Sequence, residues 1–313
     1  MPADKKQIIL DNKYLTSQNS NWRAYWQDLA SFCLPRKAWI DSIQSKGERL
    51  KFNFLYDSTA IRGLQTMASG FHTNLTNPSS EWFSWATRKP AFMRNQAVRM
   101  WLSDIEEDMY SSINGSNFDT CAQEFYTDAA CFGTAVLFTQ EDEEEKIRFK
   151  SIPIEQVNIE EDSKGRVIAI YINYPLTAIQ AFMLWGQDAG KSVLDSVKDK
   201  PFESFDFLHY VGPRYRRDVS MKDNLNMPWQ SVWIAKKDEH IIKESGFQEF
   251  PFSVVRFWKS NTDAMGYSPA MNALVDVKLA SAIKRTTLRR AMKETDPPIS
   301  VPSKGFTLPL NFN

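Results

Sequence analysis

Apolar residues recur at helical spacing in four stretches of the first part of the chain. Such spacing places them on one face of a helix, so each stretch predicts an amphipathic helix. The predicted helices run from Trp22 to Pro35, from a cap at Asp57 or Ser58 to Leu75, from Val98 to Ile113, and from Phe118 to Gly133. Asn114-Gly115 and Gly133 are typical of helix ends, where glycine is common.

Strand patterns follow the fourth helix. The predicted strands cover residues 134–139, 146–152, 156–161, 166–174, 205–211, 230–235 and 252–258. Asp162-Ser163-Lys164-Gly165 predicts a tight turn between two of them, and Thr177 with Gln180 predicts a capping box for a short helix ending near Gly186. Helices first and strands afterwards indicate an α+β fold with antiparallel sheets.

The last helix predicted from the pattern is the longest. Ser268 is a good N-cap residue and Pro269 suits the first helical position, where its missing N–H is not needed. No Gly or Pro interrupts the chain from Ala270 to Thr295, so about 26 residues extend for ~40 Å at about 1.5 Å each. Asp296-Pro297-Pro298 ends the helix. We predict one continuous helix reaching at least Ala291.

Basic residues lie on one side of this helix. At 100° per residue, the basic stripe of Lys278, Arg285, Arg289 and Lys293 falls within roughly 80°. Val275, Leu279 and Ile283 form an adjacent apolar flank, which we expect to pack on a neighbouring element. When the stripe is taken alone, an ordinary solvated surface face is the favoured explanation.

Composition limits the function classes. The chain has 313 residues, 42% of them hydrophobic, and a net charge of zero, which suits a protein with a substantial core. Its three cysteines lack paired spacing and predict reduced, buried thiols. The N-terminus has no apolar signal region, and the most apolar run, Val167 to Trp185, is interrupted by Asn173, Pro175 and Gln180. Neither a secretory signal nor a membrane span is predicted.

Signals of catalysis are weak. The run from Gly186 to Ser192 resembles a P-loop but has three residues between its glycines and follows a helix, so a flexible join is favoured. The acidic run at 141–145 favours a solvated hairpin tip over a metal site. His72, His209 and His240 have no Cys or carboxylate partners at ligand spacing. The sequence predicts no catalytic residue, metal or cofactor.

A second basic cluster follows Gly212-Pro213. Arg214, Tyr215, Arg216 and Arg217 combine positive charge with an aromatic ring. Contact with nucleic acid or with an acidic neighbouring subunit is one interpretation. A plain loop with solvated arginines is the other, and it is favoured.

Several short motifs occur in an order that is known from one family. They are Tyr56-Asp57-Ser58-Thr59-Ala60, Met67-Ala68-Ser69-Gly70, Pro78 followed by Glu81-Trp82-Phe83, Gly133-Thr134-Ala135-Val136-Leu137, Arg256-Phe257-Trp258, Gly266-Tyr267-Ser268-Pro269-Ala270 and Asp296-Pro297-Pro298. In this order and spacing, the chain from about Asn21 to its last residue resembles the podovirus portal proteins, which are head-to-tail connectors.

The resemblance implies a wing-like α+β domain over residues 1–268, a stem helix over 269–295 and the beginning of a clip over 296–313. It implies a ring, typically a dodecamer, at one vertex of the virion, assembled in the host cytoplasm. Double-stranded DNA would pass through the ring, with the basic stripe toward the channel. Terminase, tail adaptors, capsid and scaffolding proteins would be the other partners, and no membrane, cofactor or catalysis is implied.

The C-terminal residues depart from the family pattern. Ser303-Lys304-Gly305 predicts a turn between two strand-like pieces, after which the chain stops. Portal proteins continue here into a second stem helix, a tunnel helix and a crown, so we expect a fold that is cut short. A natural remnant, an engineered piece and the ordered part of a longer protein all stay open.

Two other function classes remain. One is an adaptor or tail protein that assembles without touching DNA, and the other is a DNA-processing enzyme of the packaging machinery. The long basic helix favours a portal over an adaptor, and the absence of a metal or nucleotide motif disfavours the enzyme.

Overall fold

The chain folds into helices followed by two main antiparallel sheets. The computed structural model describes residues 4–40, 55–142, 146–221 and 223–297. The helices are α1 (Lys5–Gln18), α2 (Ser20–Cys33), α3 (Thr59–Leu75), α4 (Gln96–Asn114), α5 (Phe118–Phe132), α6 (Ala178–Trp185), α7 (Lys191–Asp199) and α8 (Pro269–Thr295). The α+β class with antiparallel sheets, which the sequence pattern predicts, is confirmed.

The strands form a three-stranded, a five-stranded and a two-stranded sheet. They are β1 (Thr134–Asp142), β2 (Lys146–Ile152), β3 (Val157–Glu161), β4 (Val167–Thr177), β5 (Ser204–Pro213), β6 (Trp229–Ala235), β7 (His240–Phe247), β8 (Phe252–Arg256), β9 (Trp258–Lys259) and β10 (Gly266–Tyr267). The order is β2-β1-β8 in the first sheet, β3-β4-β5-β6-β7 in the second and β10-β9 in the third. Every pairing is antiparallel.

Local signals explain many of the element ends. Gly133 follows α5 with φ 74°, and Gly165 lies in the β3–β4 turn with φ 73°, both conformations that favour glycine. Thr177 and Gln180 form the reciprocal hydrogen bonds of the predicted capping box at the start of α6. These signals fix the end of α5, the turn between β3 and β4 and the start of α6.

The five-stranded sheet is covered on one face by α1. Ile8 of α1 packs there in a cluster with Tyr171, Leu208 and Val232. Buried amides add specificity, because the Asn158 amide donates to the Asn12 side-chain oxygen at 2.9 Å. The opposite face joins the main core, which also includes α2, α5 and the first residues of α8.

The sequence pattern misses some elements and misjudges others. It does not predict α1, α7, β7 or β10, and it predicts a flexible join where residues 186–189 form a 3₁₀ turn that leads into α7. The single strand predicted at 252–258 is β8 and β9, separated at Phe257. The Phe257 N–H donates to the Gly133 carbonyl at 2.8 Å, in register with the pairing of β1 and β8. The predicted clip lies outside the described residues from 298 onward.

Candidate functional site

The start of α8 is built from a buried serine. Ser268 is fully buried, and its Oγ accepts a hydrogen bond from the Met271 N–H at 3.2 Å. The same hydroxyl donates to the Cys131 carbonyl at 2.7 Å. Pro269 occupies the first helical position, as predicted. One side chain therefore caps α8 and ties it to the end of α5.

Two glycines in close contact form the base beneath this cap. A Cβ on Gly133 would collide with the carbonyl of Gly266, and a Cβ on Gly266 would collide with the carbonyl of Gly133. The Gly266 N–H donates to the Thr134 hydroxyl at 2.8 Å. Three motifs that are far apart in sequence, at 133–137, 256–258 and 266–270, thus meet at one point, the base of α8.

Side chains of α2 and α8 continue this junction. Met271 and Leu274 of α8 are buried in the main core. The Tyr25 hydroxyl donates to the Met271 carbonyl at 3.2 Å, and Trp22 packs edge-on against Tyr267 with ring centroids 5.0 Å apart. The first turns of α8 are therefore part of the folded body.

A clasp formed by Tyr56 and Asp57 holds the middle of α8. The Tyr56 N–H donates to the Ser281 hydroxyl at 3.2 Å, and the Lys284 ammonium donates to Asp57 Oδ1 at 2.8 Å. The same oxygen accepts from the Thr59 N–H at 2.9 Å and the Thr59 hydroxyl at 2.7 Å. Hydrogen bonding by Lys284 and Thr59 lowers the pKa of Asp57 well below its usual value. The sequence signal was the motif beginning at Tyr56, although its contact with α8 could not be read from it.

The basic stripe divides between two environments. Lys278 pairs with Asp28 of α2 at 2.5 Å and lies 5.6 Å from the centroid of the Phe32 ring, and Arg285 lies 5.9 Å from the centroid of Tyr56. Arg289 and Lys293 lie farther along, where every residue from 282 to 297 is exposed. Lys278 is thus half-buried against α2, Arg285 is exposed but lies near Tyr56, and Arg289 and Lys293 are exposed in the distal part of the helix.

The apolar flank of α8 is uncovered. Val275, Leu279 and Ile283 are 74%, 58% and 56% exposed, so none of them packs on an element in the described part of this chain. Leu288 and Met292 are exposed farther along the helix, on the side away from Ile283. Exposed apolar rows of this kind are typical of interaction surfaces.

The second basic cluster is only partly available to a partner. The Arg214 side chain is 7% exposed and pairs with Glu244 at 2.7 Å, while it also donates to the Ser245 carbonyl at 2.9 Å. Tyr215, Arg216 and Arg217 are exposed. Arg214 therefore has a structural role within the sheet, and its neighbours face outward.

The P-loop-like run has a carboxylate at the start of the helix that follows it. At the start of α7, the Ser192 N–H donates to Asp238 Oδ2 at 3.0 Å, and the Ser192 hydroxyl donates to the other oxygen of the same carboxylate. This carboxylate occupies the position where an anion binds a helix N-terminus, so it excludes a bound phosphate.

The remaining candidate residues form no reactive group. His209 is buried, hydrogen-bonds Ser231 at 2.9 Å, and burial lowers its pKa to about 3. His72 lies 3.0 Å from Asp119. The three cysteines are free, and burial raises the pKa of Cys33 to about 11. Glu141 and Asp142 end β1, while residues 143–145 of the acidic run lie outside the described residues. Within the described ranges, no His, Cys, Asp and Glu side chains cluster as metal ligands.

Among the helices in the described ranges, none combines the length and the apolar character of a membrane span.

Comparisons with known proteins agree with this picture. The family model described as bacteriophage head to tail connecting protein matches residues 5–313. The chain is 27% identical over 308 residues to the "Probable portal protein" of Bordetella phage BPP-1 and 26% identical over 307 residues to the "Portal protein" of Salmonella phage epsilon15. Each match covers 96% of this chain and 55% of the relative. The chain therefore spans about half the length of the curated relatives it matches.

Proposed function

Because the chain belongs to the bacteriophage head-to-tail connecting protein family, we propose that it is a portal subunit that forms a ring at one capsid vertex. The observation that carries this proposal is α8, whose base is tied to the core while its apolar flank and the last members of its basic stripe are exposed in the described chain. A helix of this kind needs neighbours, and identical copies around a ring would supply them.

The ring is assembled through the uncovered apolar flank. Val275, Leu279 and Ile283 pack against the neighbouring copy, which removes these three side chains from water. Twelve copies are the usual number in portal rings. Residues 1–268 form the wing, residues 269–295 the stem, and residues 296–313 the start of the clip, most of which lies outside the described residues.

The channel carries double-stranded DNA without reading its sequence. Lys278, Arg285, Arg289 and Lys293 supply diffuse positive charge, which holds phosphates without fixing them and so permits sliding. Arg214, Arg216 and Arg217 are secondary basic positions in this proposal. Terminase, tail adaptors, capsid and scaffolding proteins are the other partners, in the virion and in the host cytoplasm during assembly, and the subunit catalyses no reaction.

Electron microscopy of the purified protein tests the ring. We expect closed rings with a central hole in negative stain. A monomeric or filamentous protein at micromolar concentration would contradict the proposal. If rings form but their DNA retention does not change when the basic stripe is substituted, the result would instead favour an adaptor that assembles without touching DNA.

Substitution of the basic stripe tests the channel. Replacing Lys278, Arg285, Arg289 and Lys293 by Gln should reduce DNA retention more than assembly, with a loss that shrinks as salt rises. The matched control replaces four exposed cations elsewhere, Arg88, Arg99, Lys198 and Lys200, by Gln. Equal losses of DNA retention in the two variants would contradict a specific role of the basic stripe of α8 in holding DNA.

A turnover assay tests the absence of catalysis. We expect no ATPase or nuclease activity with Mg²⁺, because Asp238 fills the anion position at the start of α7. Lys191→Ala should leave folding and assembly unchanged. Activity that disappears with this substitution would overturn the assignment.

A further inference from the structure

A trough opens beside α1 on the five-stranded sheet. The cavity has a volume of about 900 Å³ and lies between the first turn of α1, the loop after β5 and the strands β6 and β7. It extends from Gln230, near the start of β6, to Ile241, at the start of β7. Ile241 lies beside Ile234 of β6, which is four residues from Gln230. At ~3.3 Å per residue, the cavity therefore spans about 13 Å along β6.

Cationic side chains from separate segments line this basic trough. They are Lys5, Lys6, Arg214 and Arg216, and the side chain of His240 lies beside them. Asp4 caps α1 by accepting from the Lys6 N–H at 3.2 Å, and Glu244 pairs with Arg214. The lining holds four basic side chains, those of Lys5, Lys6, Arg214 and Arg216, against the one carboxylate of Asp4, although the chain as a whole is neutral.

Tyr215 stands at the trough with its ring in solvent. Its side chain is 85% exposed and makes no ring contact within the part of the chain that the structure describes. A tyrosine between two arginines offers a flat surface and a hydroxyl donor next to positive charge. This combination is typical of surfaces that bind nucleic acid.

We propose that the basic trough binds backbone phosphates of DNA, at a site separate from α8. The proposal rests on the proposed function only for the presence of DNA near the subunit. An acidic protein surface is the less favoured occupant, because protein interfaces are depleted of Lys and have apolar centres, whereas Lys5 and Lys6 line this cavity.

Fluorescence anisotropy with a labelled DNA duplex tests the trough. The variant Lys5→Gln/Lys6→Gln/Arg216→Gln is compared with the charge-matched control Arg99→Gln/Lys198→Gln/Lys200→Gln, both as complete protein. We expect about tenfold weaker binding at ~50 mM salt for the trough variant only. The slope of log Kobs against log salt should become shallower by about 0.9 for each phosphate that the protein no longer neutralises.

A neutral substitution adds a second measurement. Tyr215→Ala should weaken binding about threefold while leaving the slope against log salt unchanged, because it removes a hydroxyl donor to phosphate but no charge. Circular dichroism and the oligomeric state confirm that each variant is folded and assembled.

Three results would overturn the proposal. The trough variant and its control could lose the same affinity, Tyr215→Ala could bind as tightly as the unchanged protein, or the trough variant could lose assembly and keep DNA binding. The last result would identify an acidic protein partner. Failure to form rings would contradict the proposed function. The trough variant could still be compared with its control, because that comparison measures only DNA binding.

Discussion

The two parts of α8 differ although they belong to one uninterrupted helix. The proximal part, residues 269–285, is capped by Ser268, contacts the core through Met271 and Leu274, and is held by the clasp at Tyr56 and Asp57. In the distal part, residues 286–295, every residue is exposed. Its side-chain hydrogen bonds and ion pair stay within the helix, such as Arg290 with Glu294 at 2.7 Å.

The difference suggests that contacts within one chain stabilise the proximal part, whereas the distal part depends on contacts with other chains. A short isolated helix is only marginally stable in water, because its nucleation costs more than its few hydrogen bonds return. The proximal part overcomes this through burial, and it provides the nucleus for the distal part. Stabilisation of the distal part by neighbouring copies then follows from the ring that we propose. The predictions below test this comparison.

Gly133→Ala should have the largest effect. The substitution adds a Cβ where φ is 74° and where the Gly266 carbonyl leaves no space, so we expect a loss of about 3 kcal/mol in the free energy of unfolding. Urea unfolding measures it. The control Gly63→Ala lies in α3 with open space around its Cβ and should be more stable by up to about 1 kcal/mol. Equal stabilities would show that the base of α8 is not rigid.

Ser268→Ala should destabilise the base of α8 less severely. It removes the cap and leaves the Cys131 carbonyl without its donor, which predicts a loss of about 1–2 kcal/mol. The comparison is Asn95→Ala, which removes the exposed cap of α4 and should cost about 1 kcal/mol or less. A larger loss at Asn95 in urea unfolding would contradict the claim that the base is the more tightly held site.

Asp57→Asn tests the clasp through pH. The folded-state pKa of Asp57 is lowered, so its contribution to stability is complete above about pH 4, the usual value of an unfolded Asp, and is lost as pH falls toward the folded-state pKa. The difference in urea midpoint between the unchanged protein and the variant should therefore be largest near pH 7 and shrink below pH ~4. Exposed Asp104→Asn is the control, with no difference expected. If the difference in urea midpoint between the unchanged protein and Asp57→Asn stays constant with pH, the ion pair with Lys284 is not its cause.

A pair of helix substitutions makes the smallest change. Ala273→Gly in the proximal part should lower global stability by about 1 kcal/mol, whereas Ala291→Gly in the distal part should lower it by less than about 0.5 kcal/mol in the unassembled chain. Both alanines are exposed, so lost burial does not confuse the comparison. Urea unfolding with amide hydrogen exchange separates the two sites. Equal global losses would show that the distal part folds as one unit with the core.

Local chemistry made much of this fold predictable from the sequence. Ser268 with Pro269 predicts the start of α8, and Thr177 with Gln180 predicts the start of α6, because caps and prolines act within a few residues. α1 was missed because only Ile8 and Asn12 of its 14 residues are buried, which gives almost no periodic pattern. β7 was missed because its ladder with β6 is irregular near Trp233, so its apolar and polar residues do not alternate cleanly.

The site was less predictable because its contacts are distant in sequence. Helical spacing places Lys278 and Arg285 on one side of α8, but it does not reveal that Asp28 and Tyr56 lie opposite them. Those partners are separated from α8 by more than two hundred residues, and only the folded chain brings them together. The close contact between Gly133 and Gly266 also depends on the folded chain, because no local pattern in the sequence links the two glycines.

The rigid base of α8 also has a mechanical consequence. A helix of 27 residues is about 40 Å long, so a tilt of about 5° at its base moves its far end by about 3.5 Å. The helix would tilt about its base, which is formed by Gly133, Gly266 and Ser268. The clasp at Asp57 contacts the helix partway along its length. A small repacking between α5 and β1 is therefore amplified at the far end, and in the ring that we propose it would change the width of the space between the far ends.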